Sequence, residues 1–211
     1  MNVGKTIRSR ISGATMAACG AVLLGGCDLG AIGIPPLGSE KLRVEVASVS
    51  QVTGSNAYIH RLTGEDIEAR PGGKLYDGDG FRTGPATQME ILTIHGQSIT
   101  IYENSDPFLK EAACFNVSFF KSGRIRIDAS HVCVNGQYQQ GSDVGYEVLG
   151  PDVMRIWVNR GQVVALSNPA IVIYAGEGAV IAGGQQLRGP KTKHSTQEFE
   201  QRFPRIVNVN Y

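Results

Sequence analysis

Two short motifs have the residue types of ligand sites, but each lacks a residue that the chemistry needs. The run Asp77–Gly80 (Asp-Gly-Asp-Gly) begins like a calcium loop, yet its twelfth position is Gln88 and not a bidentate glutamate. The run Gly176–Gly178 begins like a dinucleotide-binding turn, but Ile181 replaces the third glycine. Both runs are typical of tight turns, so the sequence predicts neither a metal site nor a cofactor.

Catalytic groups are equally sparse. The four histidines are scattered, no histidine and carboxylate cluster has metal-ligand spacing, and no Gly-x-Ser-x-Gly nucleophile elbow occurs. We therefore expect a protein that is not an enzyme and name no catalytic residue. A site assembled from residues distant in sequence stays open.

The N-terminal segment has the pattern of a secretory signal peptide. Lys5, Arg8 and Arg10 precede a stretch of small and apolar residues that ends in Leu-Gly-Gly before Cys27. A membrane-spanning helix is disfavoured, because the stretch is short and rich in glycine. We expect residues 1–26 to be removed.

The tetrad Leu24–Cys27 resembles a bacterial lipobox. The resemblance implies that Cys27 becomes a diacylated N-terminus with a third fatty chain, such as palmitate, on its amine. Several chains give a stable anchor, whereas one gives only marginal binding. We expect a lipid anchor in the cell membrane that faces the periplasm. Asp28 slightly favours the inner membrane, as in many similar lipoproteins, and the outer membrane stays open.

Two further cysteines, Cys114 and Cys133, would lie in an oxidising compartment. The default prediction is a disulfide between them, which would stabilise the fold by about 3 kcal/mol. Two unpaired buried thiols are the alternative. A metal site is disfavoured, because the nearby His131 supplies only a third ligand.

The charge of the processed chain excludes one class of partner. Without the three basic residues of the signal peptide, 17 Lys and Arg face 19 Asp and Glu. The net charge is then −2, which gives no nucleic-acid footprint.

From Leu42 onward the sequence predicts an all-β domain, an antiparallel β-sandwich or roll, over residues 41–211. Residues 27–40 carry the lipid and form a flexible tether that is broken by Pro35 and Pro36. Ile125 and Ile127 alternate with Arg124, Arg126 and Asp128, which predicts one buried and one solvated face. Other strands are predicted at 43–49, 57–61, 89–93, 98–102, 114–120, 154–158, 162–166, 170–175 and 178–182.

A short C-terminal helix is predicted over Ser195–Phe203. Ser195 can cap its first turn, and Glu198 can complete a capping box. Pro204 would then end the helix, because proline cannot continue the hydrogen-bond pattern.

Residues Val52–Phe108 resemble the FecR-like domain, chiefly through a Gly-Asp turn followed by Thr-Gly. The matching residues are Gly78, Asp79, Thr83 and Gly84, with apolar strands and a second glycine turn after them. The resemblance implies a FecR-like β fold and assigns no reaction. Regulators of that family also carry an anti-sigma segment and a transmembrane helix, neither of which is predicted here, so we expect no sigma-factor role.

Trp157 is the one residue flagged as a contact, because its place in an alternating strand puts it on the outer face. A partner or glycan contact and a second packed layer explain it equally well. We expect a structural or protein-interaction subunit of a membrane-associated envelope complex. The alternative is a glycan- or peptide-binding module, in which Trp157, Tyr58, Tyr102 and Tyr174 would gather in one groove.

Overall fold

The computed structural model describes residues 43–111, 115–118, 122–135, 137–140 and 143–206. These residues form two β-sheets and one short helix. The expected all-β, antiparallel sandwich with a short C-terminal helix is confirmed.

Sheet A contains ten strands, and sheet B contains nine. The strands of sheet A are β1 (Glu45–Thr53), β4 (Lys74–Tyr76), β6 (Gln88–Thr93), β7 (Ser98–Ile101), β10 (Arg124–Asp128), β13 (Val144–Gly150), β14 (Val153–Val158), β17 (Glu177–Ala182), β18 (Gln186–Leu187) and β19 (Thr192–Lys193). Those of sheet B are β2 (Ala57–His60), β3 (Asp66–Glu68), β5 (Gly80–Thr83), β8 (Phe108–Glu111), β9 (Phe115–Ser118), β11 (Val132–Val134), β12 (Gln137–Gln140), β15 (Gln162–Ala165) and β16 (Asn168–Tyr174).

The chain alternates between the sheets and advances along both in the same direction. In sheet A the order is β18-β17-β14-β13-β10-β7-β6-β1-β4, with β19 beside β17. In sheet B it is β16-β15-β12-β11-β9-β8-β5-β2-β3. Pairing is antiparallel except between β9 and β11, which run parallel. Early strands therefore lie at one end of the sandwich and late strands at the other.

Alternation explains the core. Ile125 and Ile127 are fully buried between the sheets, as are Ile99 and Ile101 on the neighbouring strand. Side chains on a strand point alternately to opposite faces, so these residues give each strand one apolar side. The buried apolar residues of both sheets form one continuous cluster.

The prediction that one face of β10 is solvated is wrong at one position. Arg126 lies on the outer face of sheet A, but only 2% of its surface is exposed. The reason is a second layer: helix α1 (Thr196–Arg202) covers this face and buries Phe199 and Phe203 with Tyr102. Ser195 is the N-cap with the predicted capping box to Glu198, so the helix prediction is confirmed.

Candidate functional site

Arg126 joins helix α1 to sheet A. Its Nε and Nη2 donate to the Asp143 carboxylate at 2.6 and 2.9 Å. Its Nη1 and Nη2 donate to Glu200 at 2.8 Å each, and Nη1 also donates to the Phe203 carbonyl at 2.6 Å. All five N–H donors of the guanidinium are therefore paired. Such a saturated group serves packing and leaves no donor for a substrate.

The charges around Arg126 support one another. Burial acts to raise the pKa of Asp143, but hydrogen bonds from Arg126 and Asn159 outweigh it and hold that pKa below its usual value. Burial likewise acts to lower the pKa of Arg126, and its bonds with Glu200 and Asp143 raise it instead. Both groups stay charged at neutral pH, so the buried pair is a fixed structural link.

Helix α1 fits the sheet through two phenylalanines. The Phe203 ring lies against Gly145, where an added Cβ would stand 2.4 Å from the ring. Phe199 and Phe203 pack with centroids 5.2 Å apart, and Arg126 lies over Phe199 at 5.0 Å. A glycine is thus required at position 145 for the close approach of the second layer.

Trp157 lies on the outer face of sheet A, beside α1. His194 contacts its ring at a centroid distance of 5.0 Å, and the Arg202 guanidinium lies 5.7 Å from it. Its Nε1 is buried and has no hydrogen-bond partner among the described residues. Trp157 thus packs with the second layer, and a small cleft of about 310 Å³ with Arg155 and Lys193 on its rim adjoins it.

Of the other three rings in the predicted groove, Tyr102 belongs to the buried cluster that Trp157 packs against, and two lie in the other sheet. Tyr102 is fully buried beneath α1 and donates to the Pro204 carbonyl at 2.9 Å. Tyr58 lies on β2 and Tyr174 on β16, both in sheet B and far apart in its strand order. The four rings do not gather in one groove, which favours the protein-interaction interpretation over glycan stacking.

Asp79 of the turn motif is a structural carboxylate. It is fully buried, forms ion pairs with Arg61 and with Arg43, the latter at 3.2 Å, and accepts the Tyr76 N–H at 2.9 Å. Both arginines lie over the Tyr76 ring, at 4.8 and 5.1 Å. The arrangement ties the turn to the start of β1 and offers no free ligand oxygen for a metal.

The other residues of this motif also hold backbone in place. Gly78 has a φ of +89°, and an added Cβ would stand 2.4 Å from the Leu62 side chain. Thr83 donates to the Tyr102 carbonyl at 2.5 Å and accepts the Ser105 N–H at 3.1 Å. Gly84 donates to the Asn56 carbonyl at 2.8 Å. Backbone geometry thus accounts for the Gly-Asp and Thr-Gly pattern.

A carboxylate also closes the edge of sheet B. Glu177 accepts the Tyr174 N–H at 3.0 Å and pairs with Lys193 and Lys191 at 2.9 and 3.0 Å. Lys191 in turn donates to the Val172 carbonyl at 2.6 Å. The Tyr174 N–H and the two lysines lower the pKa of Glu177 to about 2. Side chains thus occupy backbone groups of β16 that an edge strand would offer to another strand.

An apolar cleft lies where the late strands end. It measures about 870 Å³, and Asn135 of sheet B lines it together with turn residues of sheet A. Its apolar lining comprises Val148, Pro151, Val153, Met154 and Ile181. We call it the end cleft. Its size and lining lie within the range of ligand-binding pockets, roughly 300–1,000 Å³.

Three exposed leucines lie near residues of the end cleft in sequence, in strand pairing or through a hydrogen-bonded neighbour. Leu149 lies between two lining residues and is 44% exposed. Leu187 pairs with the lining residue Ile181 and is 37% exposed. Leu166 is 57% exposed and precedes Ser167, whose hydroxyl donates to the Gly184 carbonyl of the cleft. Contiguous apolar patches at a protein surface are typical of interaction sites, whereas single exposed leucines are common.

The remaining predicted site residues fall partly outside the structure. Cys27 and Cys114 lie outside the described residues, so the lipid attachment and the pairing with Cys133 stay predictions. Cys133 itself is disulfide-bonded. Among the described residues, no group of three or more histidine, cysteine or acidic side chains could hold a metal. In the same part of the chain, no helix is long and apolar enough to cross a membrane.

Comparisons with known proteins add no family. The chain matches no family model and no curated protein. The resemblance to the FecR-like domain therefore stays a prediction from the residues quoted above.

Proposed function

We propose that the protein is a lipid-anchored, periplasm-facing interaction subunit of a membrane-associated envelope complex, without catalytic activity of its own. The apolar lining of the end cleft is the observation that supports this function, and three exposed leucines lie nearby in the chain. An apolar cleft gains free energy when a partner removes it from water. The paired charges of Arg126, Asp79 and Glu177 belong to the packing of the fold.

Site-specific crosslinking in intact cells tests the proposal. A photoreactive amino acid at position 149 should yield one dominant adduct with an envelope protein. The matched control is position 68, an exposed residue of the short edge strand β3. Absence of an adduct from 149, or the same adducts from both positions, would contradict an interaction surface at the end cleft.

The lipid anchor is tested separately. Cys27→Ser should move the protein from the membrane fraction to the aqueous phase of a detergent partition, because it removes the acylated residue. Cys19→Ser is the control, since Cys19 lies inside the predicted signal peptide and should leave partition unchanged. If Cys27→Ser stays in the membrane fraction, the anchor is not the Cys27 lipid.

A further inference from the structure

We propose that the end cleft binds a segment of the partner protein in which a lysine or arginine lies next to apolar residues. The inference rests on the proposed function, because it specifies the chemistry of the partner at the same surface. Two observations support it: one unpaired carboxylate and an apolar lining. An amide oxygen behind the wall also has no partner among the described residues, but it is not accessible from the cleft.

The carboxylate belongs to Asp152. It is the one charged residue that lines the end cleft. Its side chain makes no ion pair and no hydrogen bond with any residue in the described ranges, although most other carboxylates there are paired. A cationic group that docks beside it would gain an ion pair that the partner's own apolar atoms shield from water.

The amide belongs to Gln137, which is fully buried behind the cleft wall. Its Nε2 donates to the carbonyl of the lining residue Gly184 at 2.8 Å. Because that partner is an acceptor, the amide nitrogen must face it, and Oε1 is the atom left without a partner among the described residues. This acceptor has no surface exposed to the cleft, so it lowers the stability of the wall and does not select the ligand.

The unpaired charged group at the end cleft, the Asp152 carboxylate, is therefore an acceptor. A lysine ammonium or an arginine guanidinium has only donors and carries the charge that Asp152 lacks opposite it. A carboxylate or phosphate would meet repulsion from Asp152, and no lining residue would compensate for it. The charge of the site thus selects a basic side chain.

The apolar lining excludes a purely polar cation. Val148, Val153, Met154 and Ile181 supply this lining. A partner segment with an apolar residue on one or both sides of the basic one buries this surface, at about 25 cal/mol for each Å² removed from water. A hydrated amine alone would leave it exposed.

Turns with positive φ angles form the cleft wall in the absence of a ligand. Asn135, Asp152, Gly183 and Gly184 all have positive φ angles, between 44° and 67°. Gly183 donates its N–H to the Asp152 carbonyl at 2.8 Å, which ties the β13–β14 turn to the β17–β18 turn. Asparagine, aspartate and glycine adopt this conformation at the lowest cost, so the turns form before a ligand binds. A preformed cleft lowers the entropy cost of docking.

Methyl NMR tests the inference with defined probes. The full-length protein is labelled at methionine methyl groups and held in phosphatidylcholine nanodiscs. Met154 lines the end cleft, and the fully buried Met89, on the distant strand β6, is the internal reference. The probes are capped tripeptides in which leucines flank a lysine, a glutamine or a glutamate.

The lysine tripeptide should shift the Met154 resonance and leave Met89 unchanged. We expect it to bind about fivefold more tightly than the glutamine tripeptide, with the glutamate tripeptide weakest, and we expect added salt to reduce the difference. Asp152→Asn should bring the lysine tripeptide to the affinity of the glutamine tripeptide. Asparagine tolerates the positive φ at this position, so the variant keeps the turn.

Two results overturn the inference. Equal affinity for the three tripeptides, or no effect of Asp152→Asn, removes the preference for a basic segment and leaves the end cleft as an apolar binding surface. If no tripeptide shifts the Met154 resonance, the end cleft does not bind a segment of this kind. Neither result decides the proposed function, since crosslinking at position 149 reports on the partner independently.

Discussion

Arg126 and Glu200 share two hydrogen bonds of 2.8 Å, although one lies in a central strand of sheet A and the other in the C-terminal helix. The two side chains come from residues 74 positions apart. With Asp143 on the opposite side of the guanidinium, this contact fixes where α1 lies on the sheet. The C-terminal segment is thereby part of the folded domain.

Arg126→Gln should destabilise the protein strongly. It removes the arginine that is hydrogen-bonded to the buried Asp143, and it removes both bonds to Glu200. Among the described residues, Asp143 then keeps only the cations of Arg160 and Arg205, each at 3.9 Å. We therefore expect a loss of about 3–5 kcal/mol in the free energy of unfolding. Urea unfolding followed by circular dichroism measures it. Arg188→Gln is the control, because Arg188 is exposed and forms no ion pair with a described residue. A loss below about 1 kcal/mol for Arg126→Gln would show that the network is not a structural link.

Gly145→Ala should displace helix α1 from sheet A. The new methyl group would overlap the Phe203 ring, and we expect a cost of about 1–3 kcal/mol. Faster hydrogen exchange in α1, with protected amides in β10 unchanged, identifies local release of the helix. Gly150→Ala is the matched control, since an added Cβ there meets no atom within 4 Å. Similar exchange in both variants would contradict the prediction.

Asp79→Asn should cost far more than Asp66→Asn. Asp79 is buried between two arginines, whereas Asp66 pairs with His60 and Arg82 at the exposed surface. We expect about 3 kcal/mol or more for the buried pair and a much smaller loss for the exposed one, which water and salt screen. Thermal unfolding of both variants under one buffer condition measures the difference. Equal losses would mean that the turn motif does not depend on its carboxylate.

Acid should remove the contribution of the Glu177 carboxylate to the free energy of unfolding. Its pKa in the folded protein is about 2, below the usual 4.5, so its stabilising effect is complete above pH 4.5. The effect is lost as the pH falls from about 4.5 towards 2, because the unfolded chain binds the proton first. Glu177→Gln should lower stability at pH 7 by about 1–2 kcal/mol.

The same variant should also show a shallower decline of stability between pH 4.5 and 2. Unfolding curves across that range measure the slope, with Glu65→Gln, an exposed position, as the control. Parallel slopes for Glu177→Gln and the unmodified protein would contradict the assignment.

Local patterns were enough to predict much of the fold. The capping box of Ser195 and Glu198 lies within four residues, and the alternation around Ile125 lies within one strand, so both could be read directly. Short strands such as β4 and β11 were not predicted, because three residues are too few to show a period. Their strand geometry comes from pairing with neighbours such as β1 and β12.

The site was less predictable, because its residues come together only through tertiary packing. Alternation assigns Arg126 to solvent, and nothing near it in sequence indicates that α1 will cover it. The end cleft combines turn residues of β11–β12, β13–β14 and β17–β18, which no spacing rule links. The sequence contained one signal for these turns. Asn135 and Asp152 have positive φ angles, and asparagine and aspartate are common in turns of that kind.

The position of β1 determines how the domain would respond to a pull from the membrane. The described chain begins at Arg43, immediately before β1, and β1 is hydrogen-bonded to β4 on one side and β6 on the other. Tension transmitted through the preceding residues would act along this strand and strain the bonds to both neighbours together. A terminal edge strand would instead be peeled away one bond at a time. Under the proposed lipid anchor, the position of β1 inside the sheet would give the domain mechanical resistance where the load enters it.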